Sequence, residues 1–133
     1  MPNWCQNEVT LYHNDPTMLA RAEAAIAAGS LLNEFVPMPT ELKDNDGCGW
    51  YDWRLNHWGT KWDIDGEVWD KTDSSIVLSF ESAWSPPIEA YRVMEAEHGF
   101  TIYASYEELG MCFKGSYENG VEHTFKYEPE EDL

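Results

Sequence analysis

An α+β fold, with helices packed on one face of an antiparallel or mixed sheet, follows from three features of this sequence. Segments that alternate apolar and polar residues recur along the chain, two helical stripes interrupt them, and the last part reads as strands joined by tight turns. Residues 4–13 are the first such segment, with Cys5, Val9 and Leu11 on one side and Gln6, Glu8 and Thr10 on the other. Asn7 falls on the apolar side, where an unpaired buried amide costs on the order of 1–3 kcal/mol, so it needs partners. Asn14 or Asp15 then caps a helix with Pro16 in its first turn, Met18, Leu19, Ala22 and Ile26 as its stripe, and Gly29 as its stop.

Leu31, Leu32, Phe35 and Val36, followed by Pro37 and Pro39, predict an extended connector pinned to the core. Asn45-Asp46-Gly47 signals a turn. Trp50 to Trp58 suits a short helix on which Trp50, Trp53 and Trp58 partly share one face, stopped by Gly59. Residues 65–71 form a weak second strand. Ile76, Leu78 and Phe80 mark the third, and its alternation carries Trp84 onto the same face to close the core. Ser85 reads as the N-cap of a second helix opened by Pro86 and Pro87, with Ile88, Tyr91 and Met94 as its stripe and Gly99 as its end after His98. Strands follow through Phe100–Tyr106, Met111–Tyr117 and Val121–Tyr127, turning at Leu109-Gly110 and Asn119-Gly120.

Two crossover helices of similar length give a split βαβ, ferredoxin-like arrangement with both helices on one face and an appended C-terminal hairpin. Residues 1–127 make one domain, and 128–133 an acidic tail. In this reading the first and third strands are central, parallel neighbours. The second strand, antiparallel to the third, begins where the third ends, which brings Lys61, Trp62 and Asp63 beside Trp84 and Ser85. Glu107 approaches Asn3 and Trp4 at the opposite edge.

The chain carries 8 basic against 25 acidic residues, a net charge of −17. Such a surface repels phosphates and anionic lipid, which argues against direct contact with nucleic acid or membrane and favours a basic protein partner. Simple solubility is the plainer use of the same charge. Cys5, Cys48 and Cys112 are too few and too scattered for a disulfide framework or a metal clip, and no apolar run reaches membrane length. Free thiols in a cytoplasmic protein are expected. His13, His57, His98 and His123 do not cluster, Gly59-Thr60-Lys61 lacks the spacing of a phosphate loop, and Asp63, Asp65 and Asp70 do not match an EF-hand, so neither metal nor cofactor is expected.

The candidate ligand-binding residues are Asn7, Trp58, Thr60, Lys61, Trp62, Asp63, Trp84, Ser85 and Glu107. Four tryptophans between residues 50 and 62 offer flat faces, and Lys61 offers a cation, a mixture able to hold a nucleobase or sugar. It is equally able to seal an open sheet end, with Lys61 paired to Asp63 or laid across Trp58. Glu107 and Asp63 are the carboxylates nominated for acid–base work, but no nucleophile or metal stands near either in sequence, so the chain reads as non-enzymatic.

Met1-Pro2-Asn3-Trp4-Cys5-Gln6-Asn7, Asn56, Trp58-Gly59-Thr60-Lys61-Trp62-Asp63, Ala83-Trp84-Ser85-Pro86-Pro87, Tyr106-Glu107-Glu108 and Phe113-Lys114-Gly115 together resemble the YubB ferredoxin-like domain family of phages and plasmids. That family's asparagine and tryptophan are adjacent, whereas His57 separates Asn56 from Trp58 here. The resemblance implies the ferredoxin-like fold and a mobile-element origin, and no established activity. Two functions are therefore expected. One is an accessory, counter-defence factor whose acidic surface imitates phosphates in the basic groove of a host protein. The other is a nucleotide-like ligand site at the tryptophan-lined end, with Lys61 facing a phosphate and Trp58, Trp62 or Trp84 stacking on a base.

Overall fold

The computed structural model describes residues 4–39, 49–108, 110 and 113–126. The turn expected at Asn45-Asp46-Gly47, the cysteines Cys48 and Cys112, Asn3, Leu109 and the acidic tail 128–133 lie outside the described residues. β1 (Trp4–Tyr12) buries Cys5, Asn7, Val9 and Leu11 and leaves Trp4, Gln6, Glu8 and Tyr12 exposed, as period-two alternation requires. α1 (Pro16–Ala27) starts where the Asp15 carboxylate accepts the backbone N–H of Thr17 at 2.9 Å, with Pro16 at its first position. Its buried residues are Leu19, Ala22, Ala25 and Ile26. The connector after it is not extended. Leu31–Phe35 forms a short helix, α2, which buries Leu31, Leu32 and Phe35, and the prolines act only after its end.

α3 (Gly49–His57) carries Trp50 and Trp53, and the chain turns away after it at Gly59, whose φ of +85° is the left-handed conformation a glycine accepts. β2 (Glu67–Lys71) and β3 (Ser75–Ala83) form a hairpin, with the register shifting between Val68 and Asp70. α4 (Ile88–His98) buries Ile88, Ala90, Tyr91 and Met94 and ends at Gly99, φ +78°. Ser85 is not its cap. The first residue before the helix is Pro87, which offers no side-chain bond, and the Ser85 hydroxyl donates instead to the Gly59 carbonyl at 2.7 Å. β4 (Thr101–Glu108), β5 (Phe113–Glu118) and β6 (Val121–Lys126) complete the chain, β5 and β6 joined through Asn119 (φ +54°) and Gly120 (φ +78°), a primed two-residue turn.

Among the described residues these strands form one six-stranded sheet in the order β2-β3-β1-β4-β5-β6, with every neighbouring pair antiparallel. This is the ferredoxin-like α+β arrangement with a hairpin appended. The parallel pairing expected of the first and third strands is corrected: β1 and β3 run antiparallel, Trp4 opposite Ala83 and Tyr12 opposite Ser75. A crossover returns the chain parallel to the strand it left, and β3 turns back from β2 into the gap between β2 and β1, so it must oppose both. One consequence joins two ends that the sequence reading kept apart. Glu107 approaches Trp4 as expected, with Gln6 facing Glu107, but Trp4 faces Ala83, so both lie at the Trp84–Ser85 end of the sheet and not at the edge opposite it.

The alternate residues of β1, β3 and β4 that are buried join the helices in one core, including Leu11, Ile76, Leu78, Ile102 and Ala104 with Ile26, Phe35, Tyr91 and Met94. Asn7 finds partners there for one end of its amide: its Nδ2 donates to the Cys5 carbonyl at 3.0 Å and to the Ser82 hydroxyl at 2.9 Å, while its Oδ1 has none among the described residues. Towards β5 the phenol of Tyr106 crosses over Gly115 to reach Glu122 at 2.7 Å and Thr124 at 2.5 Å. A Cβ on Gly115 would stand 2.2 Å from the His123 carbonyl and 2.6 Å from that phenol oxygen. We expect Gly115→Ala to destabilise the fold by about 2–3 kcal/mol, read as a lower urea midpoint, because a packed site cannot absorb the methyl.

Burial pushes the Cys5 thiol up to about 12 from its ordinary 9.0, against the pull of the Ser82 hydrogen bond. The phenols of Tyr91, Tyr106 and Tyr117 are likewise raised, chiefly by burial. On unfolding these groups regain ordinary values of 9.0 and 10.0, so above pH 9 the folded state binds more protons than the unfolded one. Stability is then fully present below pH 9 and falls as pH rises towards 12, which a series of thermal melts across that range will register as a declining Tm. At pH 8 peptide mapping after iodoacetamide treatment should find Cys5 unalkylated in the folded protein and alkylated in urea.

A tryptophan-sealed sheet end and a candidate binding face

The segment after α3 meets the end of β3 through backbone carbonyls. Thr60, fully buried, donates its hydroxyl to the Ala83 carbonyl at 2.8 Å, and the Trp58 carbonyl accepts the N–H of Ala90 at 3.3 Å. Ser82 donates to the Ser85 carbonyl at 2.7 Å and itself accepts from Asn7, so the polar candidates Asn7, Thr60 and Ser85 form part of one interlock. Trp58 is 1% exposed and its indole N–H donates to the Val36 carbonyl at 2.8 Å. The Arg54 guanidinium lies between the Trp50 and Trp58 rings, at 5.0 and 4.9 Å from their centres. Base stacking on Trp58 is therefore corrected, because both its faces are inside the fold.

Asp63 is also committed. Its carboxylate accepts the N–H groups of Leu32 (2.8 Å), Asn33 (2.9 Å) and Ile64 (2.8 Å), so it caps α2 from thirty residues downstream. Burial pushes its carboxyl above the usual range, against the opposing pull of those donors and of Arg54. Among the described residues Lys61 forms no ion pair with Asp63; its ammonium sits 4.7 Å from the Trp62 ring centre and 5.8 Å from that of Tyr51. Trp84 does not close the core. β3 ends at Ala83, the backbone of Trp84 turns left-handed at φ +73°, and its side chain is left 50% exposed. Of the nine candidates, Asn7, Trp58 and Thr60 are buried, Lys61, Asp63 and Ser85 are half-buried, and Trp62, Trp84 and Glu107 are exposed.

Among the described residues the alternation that fills the core leaves the opposite sheet face without a helix, and a groove of about 840 Å³ runs across it. Its floor includes Ser79, Ser105 and Ser116, aligned through Glu8 in the register of β3, β1, β4 and β5. Around them stand Glu8, Asp65, Glu67, Glu81 and Glu107, with Lys114 at one end. Gln6 lies between Glu81 and Glu107 in register. Strand spacing therefore sets Glu81 and Glu107 two strands, about 10 Å, apart, with Glu8 diagonal to each. Trp69, 69% exposed, borders the groove and donates its indole N–H to Ser79 at 2.6 Å. A smaller hollow of about 270 Å³ adjoins at the sheet end, lined by Trp4, Trp62, Asp63, Asp65, Glu81 and Ala83.

Glu107 is thus the sequence candidate that belongs to this face, and Glu8, Asp65, Glu67, Trp69 and Glu81 were missed. A signal for them existed. Glu8, Glu67, Trp69 and Glu81 occupy outward positions of the strands and Asp65 lies just before β2, and antiparallel pairing gathers them on one surface. Asp63 and Glu107 line different hollows, and Asp63 has its oxygens engaged by backbone donors, so the two make no acid–base pair. Removing the cap tests the structural reading of Asp63: Asp63→Ala should cost about 2–3 kcal/mol by urea denaturation, since donors facing a charged acceptor lose it, while Asp63→Asn recovers part of that.

A family model described as "Ferredoxin-like domain in Api92-like protein" matches residues 57–133, more than half of the chain. A crystal structure of the protein Api92 from Yersinia pseudotuberculosis aligns with 20% identity and a TM-score of 0.49, covering 73% of this chain and 39% of that one. The chain therefore spans well under two thirds of the length of that solved protein. No curated protein matches. With helices on one face of its antiparallel sheet and more than half of its length matched by the model, this chain belongs to the family of ferredoxin-like domains found in Api92-like proteins.

Proposed function

We propose that this domain acts by binding, and that its helix-free sheet face takes a basic segment of a partner protein. The observation that carries the reading is the groove in which Glu8, Asp65, Glu67, Glu81 and Glu107 converge, in a chain of net charge −17. Carboxylates exposed to water on a concave face attract Lys and Arg from a distance and speed encounter. The concavity selects the partner's shape as well: a protruding or extended basic segment enters such a trough more readily than the trough enters a basic cleft. The resemblance to YubB-like domains of phages and plasmids favours a host protein as that partner, in the cytoplasm, with capture of its basic segment as the means of interference. A phosphate-bearing ligand at the tryptophan end is less favoured, since it would meet Asp63, Asp65 and Glu81 there.

Fluorescence anisotropy with a short labelled lysine peptide provides the test. Binding should weaken steeply from 50 to 300 mM salt. Replacing both Glu8 and Glu107 with Gln should weaken it by roughly 3- to 10-fold, in keeping with exposed ion pairs worth about 0.2–1 kcal/mol each. Glu97→Gln, on exposed helix α4, should change nothing. Equal weakening by all three replacements would reduce the effect to net charge and remove the groove from the account.

A further inference from the structure

We infer that the smaller hollow at the sheet end is an anchor for one arginine side chain of the partner, a role that rests on the reading of the groove as a basic-segment site. Trp4 and Trp62 form one wall, 40% and 36% exposed, with ring centres 5.8 Å apart and planes tilted by 35°. Large indoles left this open at a strand start and a loop are not spent on the core; Trp4 faces Ala83 across the sheet and lies on the helix-free side. Asp65 and Glu81 form the other wall, and both also line the large groove, so the two hollows are continuous.

Aromatic faces beside free carboxylates select an organic cation. Lys61 already demonstrates the first half of that chemistry, with its ammonium 4.7 Å from the Trp62 ring centre. Among the described residues no three His, Cys, Asp or Glu side chains converge closely enough to hold a metal ion, so the charge is not arranged around an inorganic cation. Asp63 contributes charge but little acceptor capacity, because backbone N–H groups occupy its oxygens. Asp65 and Glu81 are exposed and present theirs. Between an ammonium and a guanidinium, the guanidinium uses such a site more fully. It is planar, so it stacks on an indole, and its edge carries a fork of N–H donors matched to a carboxylate. A lysine can satisfy the carboxylates and place its ammonium over a ring, as Lys61 does, but it has no plane to lay against the indole and no fork of donors to pair with a carboxylate at the same time. The rest of the partner segment would then run from this anchor across the serine floor towards Lys114.

The inference is tested with two labelled peptides of equal length and charge, one of arginines and one of lysines, measured by anisotropy at low salt. The wild-type domain should bind the arginine peptide about 5- to 10-fold more tightly, the size expected for a partly desolvated cation–π contact. Trp4→Ala should abolish that preference while leaving lysine binding unchanged, and Glu81→Gln, which keeps the side chain's shape, should reduce it as well. Circular dichroism of both variants confirms that the fold is intact. Equal binding of the two peptides by the wild type, or a preference that survives both substitutions, overturns the anchor and leaves the groove standing. Failure of both peptides to bind the wild type overturns the groove reading together with the anchor.

Discussion

One-sided burial governs this molecule. Among the described residues the six-stranded sheet has its helices on one face, so each strand must divide its residues between a helix-packed side and an open one. Antiparallel sheets tolerate that division, whereas parallel sheets are covered on both faces. The division explains why so acidic a chain has an ordinary core: Val9, Leu11, Leu78 and Ile102 sit at alternate positions from Glu8, Ser79 and Tyr103. A one-residue slip in any central strand would put carboxylates against Tyr91 and Met94, so core and open face specify each other's register.

The tryptophan-rich connection serves that architecture at its exposed end. A sheet end covered only by loops would leave backbone carbonyls and apolar side chains open to water, and the chain closes it with groups that do both jobs. Trp58 fills space and donates to Val36, Thr60 ties to Ala83, Ser85 ties back to Gly59, and Asp63 holds the start of α2. Each bond is worth about 1 kcal/mol net, but breaking one in a buried place costs more, so they act together as a latch. A ligand site built from these same groups would have to unmake the latch. Function is carried more economically by side chains that the latch leaves outside it.

Those side chains point across the open face. Carboxylates on neighbouring strands repel one another, a cost that falls when a cation lies between them. Small serines at the centre of the face keep it concave, and Trp69, Trp4 and Trp62 add apolar surface at its border. Charge alone would make a soluble surface with no preferred site. Charge gathered in a trough beside aromatic rings gives a basic segment both attraction and a place to stop.

The sequence by itself determined the types of the longer elements and most of the residues that enter the core, because period-two and helical stripes are local properties of consecutive side chains; the short helix α2, read from its prolines as extended, escaped it. β1, α1, β3, α4 and the turn at Asn119-Gly120 were legible for that reason, and so was the need of Asn7 for partners. What depends on which segments become neighbours was decided only in three dimensions. The antiparallel relation of β1 to β3 brought the end that holds Trp4 and Glu107 together with Ala83 and Trp84. The left-handed turn at Trp84 sent outward a ring that strand alternation placed inside, and Asp63 found its donors some thirty residues away. The groove is the largest instance: Glu8, Glu67, Glu81 and Glu107 were ordinary polar positions in four separate strands and Asp65 a residue just before one, and only the pairing of those strands made them one surface.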